Sequence, residues 1–388
     1  MSGYVYTILG SGRQGTSAAY DLVRFGDAEE IILVDKNPDT ARRSQQRINQ
    51  LTDTDIARAE AFDLRNEHRL SSLLEKTDVA LSAVPYYYNP AIARFCIKAG
   101  SHMCDMGGHT HTVKQQLKLD AKAKHAGVSV VPDCGMGPGL NITMAAFIKE
   151  KFENPRSILV YDGGLPREPQ PPWNYQLTFH INGLTNEMDG QAIFVRDGQI
   201  TPVDTLTEPE QVIFSPVGPL EADVTSGGLS TSPWDFASEL DRYENKTLRF
   251  HGHFAWLRAY KALGLFSEEP VRIGDQEVVP RDVFHHLLEP KITPADIRDI
   301  CLIRVIGKGE VDHEQKTFQV DLVDTYDKRT GFTAMERLTG WHAAIMMGFQ
   351  ARGTVSPGCH PIHAAVDPVL FMRELEKRGI PHQITVQE

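Results

Sequence analysis

The stretch Gly10-Ser-Gly12-Arg-Gln-Gly15 limits what this chain can fold into more than any other segment. It follows the apolar run Val5–Leu9 and opens Arg13–Phe25, where Ala18, Ala19, Leu22, Val23 and Phe25 recur at helical spacing and Gly26 can end the helix. G-x-G-x-x-G between a strand and a helix has a physical reading. The first glycine permits the tight turn, the second lets backbone approach a pyrophosphate, and the third lets the helix pack on the strand. The N–H groups and positive dipole end of the helix then favour phosphate charge. Asp35 closes the next apolar run, Ile31–Val34, twenty residues past Gly15. A carboxylate there accepts hydrogen bonds from both adenosine ribose hydroxyls and repels a 2′-phosphate, which points to NAD; Lys36 keeps NADP possible. The expected cofactor-binding residues of this turn are Gly10, Gly12, Arg13, Gln14, Gly15 and Asp35.

Strand-like and helix-like segments go on alternating. Pro38–Ile48 reads as a helix capped by Asn37, Val79–Ala83 as a strand, Pro90–Lys98 as a helix, Met103–Asp105 as a strand, Thr112–His125 as a helix and Val128–Val131 as a strand. This rhythm predicts βαβ units and a doubly wound parallel sheet, a Rossmann domain. It changes near Pro132. After a helix over Leu140–Lys151 come the apolar runs Ile158–Tyr161, Gln176–Ile181, Ala192–Val195, Thr247–Phe250, Leu302–Ile306 and Thr317–Leu322, broken by glycine and proline. A second α+β domain with a mainly antiparallel sheet fits them. Helices over Trp341–Gln350 and Asp367–Lys377 can lean back on the first domain. At 388 residues the chain exceeds one ordinary core, and the expected division is 1–135 with 340–388, and 136–339.

Acidic residues outnumber basic ones 51 to 40, a formal net charge of −11, which argues against a nucleic-acid or anionic membrane partner. No apolar segment reaches the roughly twenty residues needed to span a bilayer, and no basic stretch with an apolar core opens the chain. The five cysteines are odd in number and include no C-x-x-C pair, as expected of reduced thiols in a cytoplasmic protein.

In a doubly wound sheet, ligands gather at the carboxyl ends of the strands. Three polar clusters fall there: Tyr86-Tyr-Tyr-Asn89, Asp105-Met-Gly-Gly-His-Thr-His111 and Asp133-Cys-Gly-Met-Gly-Pro-Gly139. Further on, Thr225-Ser-Gly-Gly-Leu-Ser-Thr-Ser232 is dense in hydroxyls and glycines that can hold an anionic group. His109 and His111 lack a matching third ligand, so no metal is expected. Neither G-x-S-x-G nor H-E-x-x-H occurs, which leaves hydrolase readings without support.

Read together, GSGRQG with LVD, SAVPYYYNPAIARFCIKAG, CDMGGHT, VVPDCGMGPGLN, YDGGLPREPQPPWNY, PLEADVTSGGLSTS, LRFHGH and MRELEKRGI occur in an order that resembles the saccharopine dehydrogenase-like family, and within it the L-lysine 6-dehydrogenases. The resemblance implies a Rossmann domain completed by C-terminal helices and a second domain that binds substrate and builds a homo-oligomer. It also implies oxidation of a C–N bond with NAD(P). In the lysine enzymes the 6-amino group leaves as ammonia and the semialdehyde cyclises to a piperideine carboxylate. Hydride transfer needs a base with a tuned pKa, and Asp105, His109 and Asp133 are the candidates, with Tyr87 assisting. Val84, Pro85 and Asn89 would border the nicotinamide, Tyr88 would orient the amine, and Thr225, Ser226 and Arg167 would grip the far end of a small-molecule amino acid. Two alternatives stay open: reductive coupling of the saccharopine- or carboxynorspermidine-forming type with NAD(P)H, and a non-catalytic sensor of NAD(H).

Overall fold

A computed structural model of the chain describes residues 3–387. Strands β1 (Tyr4–Leu9), β2 (Ala28–Asp35), β3 (Ala57–Ala61), β4 (Val79–Ser82), β5 (His102–Asp105) and β6 (Ser129–Val131) alternate with helices α1 (Arg13–Phe25), α2 (Pro38–Thr52), α3 (Glu67–Leu74), α4 (Asn89–Ala99), α5 (Thr110–Leu117) and α6 (Asp120–Ala126). With the short strand Gly358–Cys359 they form a seven-stranded parallel sheet ordered Gly358–Cys359, β6, β5, β4, β1, β2, β3. The strand order reverses at β1, which puts the Gly10–Gly15 turn at the switch point where such sheets bind ligands. Residues 31–34 and 79–81 are buried throughout, as a parallel sheet covered on both faces demands. One face packs against α1, α2 and the helix His342–Ala351, the other against α3, α4 and α6.

Several departures from the sequence reading have local causes. The edge strand β3 reads ARAEA; its charges hide it from a search for apolar runs. The single helix expected over Thr112–His125 is two, broken at Lys118-Leu119. The strand expected over Gln176–Ile181 does not form. That chain runs irregularly into the helix Ile181–Glu187, whose first turn is capped by His180 Nδ1 accepting from the Asn182 N–H at 3.1 Å.

The second sheet is nine-stranded. Its path runs Glu210–Phe214, Gly218–Val224, Arg242–Arg249, β7 (Asn154–Pro166), Asp299–Val311, Glu314–Thr325 and His382–Gln387, with the hairpin Gln191–Arg196 and Gln199–Asp204 beside Arg242–Arg249. Only the β7 pairing with Arg242–Arg249 is parallel; the rest are antiparallel. Helix α7 (Leu140–Lys149), buried along its length but for its last residue, packs on β7, Asp299–Val311 and Glu314–Thr325 of this sheet and on the helix Pro368–Lys377.

The chain then passes through the π-helical turn Arg337–Trp341 into the almost fully buried helix His342–Ala351, which lies on α1 and β5. Gly340 allows this approach, since a Cβ there would sit 2.8 Å from both Gln14 O and Ser17 Cβ. Pro368–Lys377 follows, and Arg378 at its end clasps Asp21 of α1 at 2.8 and 2.9 Å. The last strand, His382–Gln387, grouped with the first domain on sequence grounds, pairs instead with Glu314–Thr325 at the edge of the second sheet. Among the described residues no helix is long and apolar enough to cross a membrane, and all five cysteines are buried and unpaired.

Candidate functional site at the strand ends

The dinucleotide turn has the geometry its glycines suggest. Gly10 takes φ +106°, and a Cβ on it would lie 2.4 Å from Ala83 O at the end of β4. A Cβ on Gly15 would lie 2.0 Å from Gly10 O. Gly12, the residue that must leave room for phosphate, has no atom within 4 Å of its Cβ position. The open cradle above an uncapped helix N-terminus fits a pyrophosphate. Asp35 is held at the rim, Oδ2 accepting from Ser11 N–H at 3.2 Å and Oδ1 from Asn37 N–H at 2.9 Å. Arg13 turns away from the cradle, and its Nε donates to Glu336 at 2.8 Å. The buried Gln14 Oε1 has no partner.

Beyond β4 the three tyrosines form one 3₁₀ turn and point in different directions. Tyr86 stacks on His109 with centroids 4.7 Å apart and planes 12° from parallel. Tyr87 is 63% exposed. Tyr88 and Val84 lean on the cluster beneath α3 and α4. Val84 also touches the Gly10 turn, Pro85 is exposed, and Asn89 is buried with Oδ1 accepting from Ser82 Oγ at 2.7 Å. His109 caps α5, its Nδ1 3.1 Å from Thr112 Oγ1, and burial lowers its pKa.

Asp105 and Asp133 end neighbouring strands and meet in the interior. Asp105 is fully buried: Oδ1 accepts from Gly107 N–H at 2.8 Å and Asp133 N–H at 3.3 Å, and Oδ2 from Gln116 Nε2 at 2.7 Å. Asp133 takes φ +65°, a left-handed conformation that costs a non-glycine residue energy, and its carboxyl lies against Gly107, where a Cβ would come within 2.3 Å of Oδ1. Its Oδ2 accepts a hydrogen bond from Ser230 Oγ, while the buried Oδ1 has no partner. Burial, then the adjacent Asp105 charge, push the Asp133 carboxyl up to about 7, against the Ser230 hydrogen bond. Asp105 is pushed up by burial too, opposed by its three donors. Thr110 joins Thr225, Gly227, Gly228, Leu229, Ser230 and Asn245 in lining a cleft between the two sheets.

On the second-sheet side, Thr225 Oγ1 bonds Thr247 Oγ1 at 2.6 Å and Ser226 Oγ donates to Asn186 O at 2.7 Å, so both hydroxyls serve the loop's own shape. Arg167 is exposed past the end of β7, and no side-chain bond joins it to the cleft. The buried guanidinium is Arg249, paired with Glu187 at 2.6 Å. Asp162 accepts from Asn141 Nδ2 at 3.1 Å and Asn245 Nδ2 at 3.0 Å, and burial pushes it up to about 6. Among the described residues no three His, Cys, Asp or Glu side chains are grouped to hold a metal.

Residues 6–131 match the family described as the saccharopine dehydrogenase NADP binding domain, and residues 133–380 match the saccharopine dehydrogenase C-terminal domain. The chain belongs to the saccharopine dehydrogenase family. It is 23% identical over 221 residues to the saccharopine dehydrogenase [NADP(+), L-glutamate-forming] of Pyricularia oryzae, a match covering 54% of this chain and 48% of that protein. It is 25% identical over 215 residues to the mitochondrial alpha-aminoadipic semialdehyde synthase of Mus musculus, covering 53% of this chain and 23% of that one. The matched stretch thus spans half or less of these relatives' length. The apo saccharopine dehydrogenase (L-Glu forming) of Saccharomyces cerevisiae superposes over 100% of both chains with a TM-score of 0.81 at 19% identity, which establishes a shared fold.

Within this saccharopine dehydrogenase fold, reading by motif did not single out Tyr86 and Ser230 from the clusters that hold them, and passed over Asn141, Asp162, Glu187, Asn245 and Arg249. LRFHGH entered only as one of the motifs carrying the resemblance, yet its buried arginine is the group that meets a partner 62 residues away. Alternation along Arg242–Arg249 carried some of the signal, because Asn245 and Thr247 share one strand face. Glu187 had none; it lies on the helix Ile181–Glu187, which was not expected from the sequence.

Proposed function

We propose that the chain is an NAD-dependent amino-acid dehydrogenase that oxidatively deaminates a terminal amine, with L-lysine as the substrate and its 6-amino group as the reacting nitrogen. The observation that carries this is Asp133: a buried carboxyl just past β6, at the same carboxyl end of the parallel sheet as the dinucleotide turn, pushed up to about 7, with one oxygen held by Ser230 and the other without a partner. A base of that strength at a strand end suits proton transfer at neutral pH.

The Gly10–Gly15 turn would hold the pyrophosphate and Asp35 the adenosine ribose, with Val84 beside the turn. When bound, the nicotinamide accepts the hydride from the carbon that bears nitrogen. Ionised Asp133 takes a proton from the substrate ammonium, freeing the nitrogen lone pair that the developing C=N bond requires. Once Asp133 has passed that proton to solvent, its carboxylate can take a proton from the water that adds to the C=N carbon and return it to nitrogen as ammonia leaves, so one group serves both steps. Ser230 fixes Oδ2, and Asp105, gripping the Asp133 N–H, positions the loop without touching substrate. Tyr86, stacked on His109, supplies the flat wall at the mouth.

NAD is our reading although the relatives' names carry NADP. Asp35 is anchored by two backbone N–H groups and cannot easily swing away from a 2′-phosphate. Those names also favour a second reading, reductive coupling of an amine with a carbonyl acid. A turnover panel separates the two. Lysine, ornithine, diamines and opines are each offered with NAD and NADP, following absorbance of the reduced cofactor and release of ammonia. Reduction of NAD with lysine and stoichiometric ammonia is expected; activity only in reductive coupling would overturn the deaminase reading.

A further inference from the structure

As a base, Asp133 must shed each proton it takes before it can act again, yet the fold seals it in. The residue is 2% exposed, its Oδ1 is covered, and among the described residues no lysine, arginine or histidine pairs with it. The titratable groups that face it are Asp105 of β5 and the adjoining Cys134 thiol. Asp105 has both oxygens engaged by N–H donors, and burial pushes the Cys134 thiol up, so neither leads a proton outward. Ser230 is the one side chain among the described residues that hydrogen-bonds the carboxyl.

The loop that carries Ser230 uses its other hydroxyls on its own side. Thr225 bonds Thr247, Ser226 bonds Asn186 O, and Ser232 Oγ donates to Leu229 O at 2.7 Å. Ser230 Oγ reaches across to the first domain instead, from a turn that its N–H closes on Gly227 O at 3.0 Å. Its backbone takes φ +46°, left-handed like the φ +65° of Asp133. That conformation is unfavourable for a residue with a side chain, and here both partners of one hydrogen bond adopt it. Ser230 also lines the cleft between the two sheets, whereas Asp133 does not. Two other lining residues, Gln191 and Gly227, are exposed, so the cleft opens to solvent, and Thr110, Thr225 and Asn245 give it polar walls with room for water.

We propose that Ser230 is the proton relay between Asp133 and the water of this cleft. A hydroxyl both donates and accepts, so it takes one proton while giving up another. With the carboxyl ionised, Ser230 donates to Oδ2. Once Oδ1 has taken a proton, a half-turn of the carboxyl brings the protonated oxygen to Ser230. Its O–H proton moves to Ser230 Oγ as the seryl proton passes to a cleft water. A carboxylic acid and a water thereby become a carboxylate and a hydronium, and the seryl hydroxyl is restored. Ser230 acts through Asp133 and touches neither cofactor nor the reacting carbon. The relay rests on the deaminase reading for its purpose, since that reaction uses Asp133 twice and must empty it in between.

The test separates proton traffic from substrate chemistry. Intact protein without substrate is jumped from about pH 8 to about pH 6 while infrared absorption follows the protonated carboxyl, the band missing in Asp133→Asn being that of Asp133. Ser230→Ala should melt and bind NADH like the parent and show the same band, arriving at least about tenfold more slowly. Imidazole, small enough to enter the cleft and able to carry protons, should restore the rate, and Ser230→Cys, whose thiol also donates and accepts, should be slowed less than the alanine variant. A serine with a merely structural role would give no response to imidazole. An unchanged rate in Ser230→Ala, or a slow one that imidazole leaves slow, would overturn the relay. The parent supplies a check that needs no variant to fold: across mixtures of light and heavy water its rate should follow a curve, as two protons in flight require, and a straight line would overturn the relay. Lysine turnover with NAD is read alongside. A slowed, imidazole-restored band with no amine turned over would keep the relay and sink the deaminase reading; turnover with an unchanged band rate in Ser230→Ala would do the reverse.

Discussion

Ser230 donates a hydrogen bond to Asp133 across 97 residues of sequence, joining the loop after Gly218–Val224 to the end of β6. That contact leaves Asp133 Oδ1 as the unpartnered oxygen of a buried carboxyl, the atom to which the proposed mechanism gives the proton transfers.

Asp133→Asn should lower turnover by about 10²–10⁴ while the protein still binds dinucleotide. In the unaltered enzyme kcat/KM should fall about tenfold per pH unit below about 7, where the carboxyl takes up its proton, and Asp133→Asn should flatten that limb. Stability gives an independent check. A folded pKa near 7 against an ordinary value of 3.8 means the native state holds the extra proton between those values. Its stability therefore falls as pH rises through that window. Asp133→Asn should be at least as heat-stable as the parent at pH 8, with the difference vanishing at pH 4; a variant less stable at pH 8 would contradict this placement.

Gly12→Ala and Gly15→Ala should fail in different ways. Gly12 has open space and φ −70°, so its alanine variant should melt like the parent yet lose dinucleotide affinity, because the methyl stands where pyrophosphate must approach. Gly15→Ala would drive its Cβ to 2.0 Å from Gly10 O and should lower the melting temperature itself. Thermal melts with and without NADH separate the two.

Asp35→Ser should weaken NAD binding and improve NADP binding, moving their affinity ratio by about tenfold or more, on the order of 1.4 kcal/mol. Fluorescence titration with both reduced cofactors measures it. An unchanged ratio would remove Asp35 as the selecting group.

Arg378→Met should cost about 3–5 kcal/mol near neutral pH, because it strips the cation from a carboxyl that is 1% exposed. Asp21 is already pushed up to about 6 by burial, and losing the Arg378 charge would raise it further. The penalty should accordingly be smaller at pH 5 than at pH 8. Denaturant melts at the two pH values read this directly.

The phosphate turn was legible because its constraint is local: three glycines between a strand and a helix, all within the twenty-two residues Tyr4 to Phe25, each glycine needed for backbone geometry. The trio of tyrosines shows the limit. Their position at a strand end could be read, but a 3₁₀ turn sends the side chains in separate directions, and Tyr86 is the one that meets His109. Thr225 and Ser226 sit in a loop rich in hydroxyls, yet those hydroxyls are spent on Thr247 and Asn186.

The sequence by itself determined the parallel sheet, the cofactor turn and the chemistry available at its strand ends, since turn geometry and strand–helix periodicity are properties of neighbouring residues. Only the tertiary structure decided which acid is pushed toward neutrality and which second-sheet arginine is buried. A carboxyl rises toward neutrality, and a guanidinium keeps a free edge, according to what the distant chain packs around them. For Asp133 that is Asp105 and Ser230, and for Arg249 it is Glu187, Tyr175 and His253.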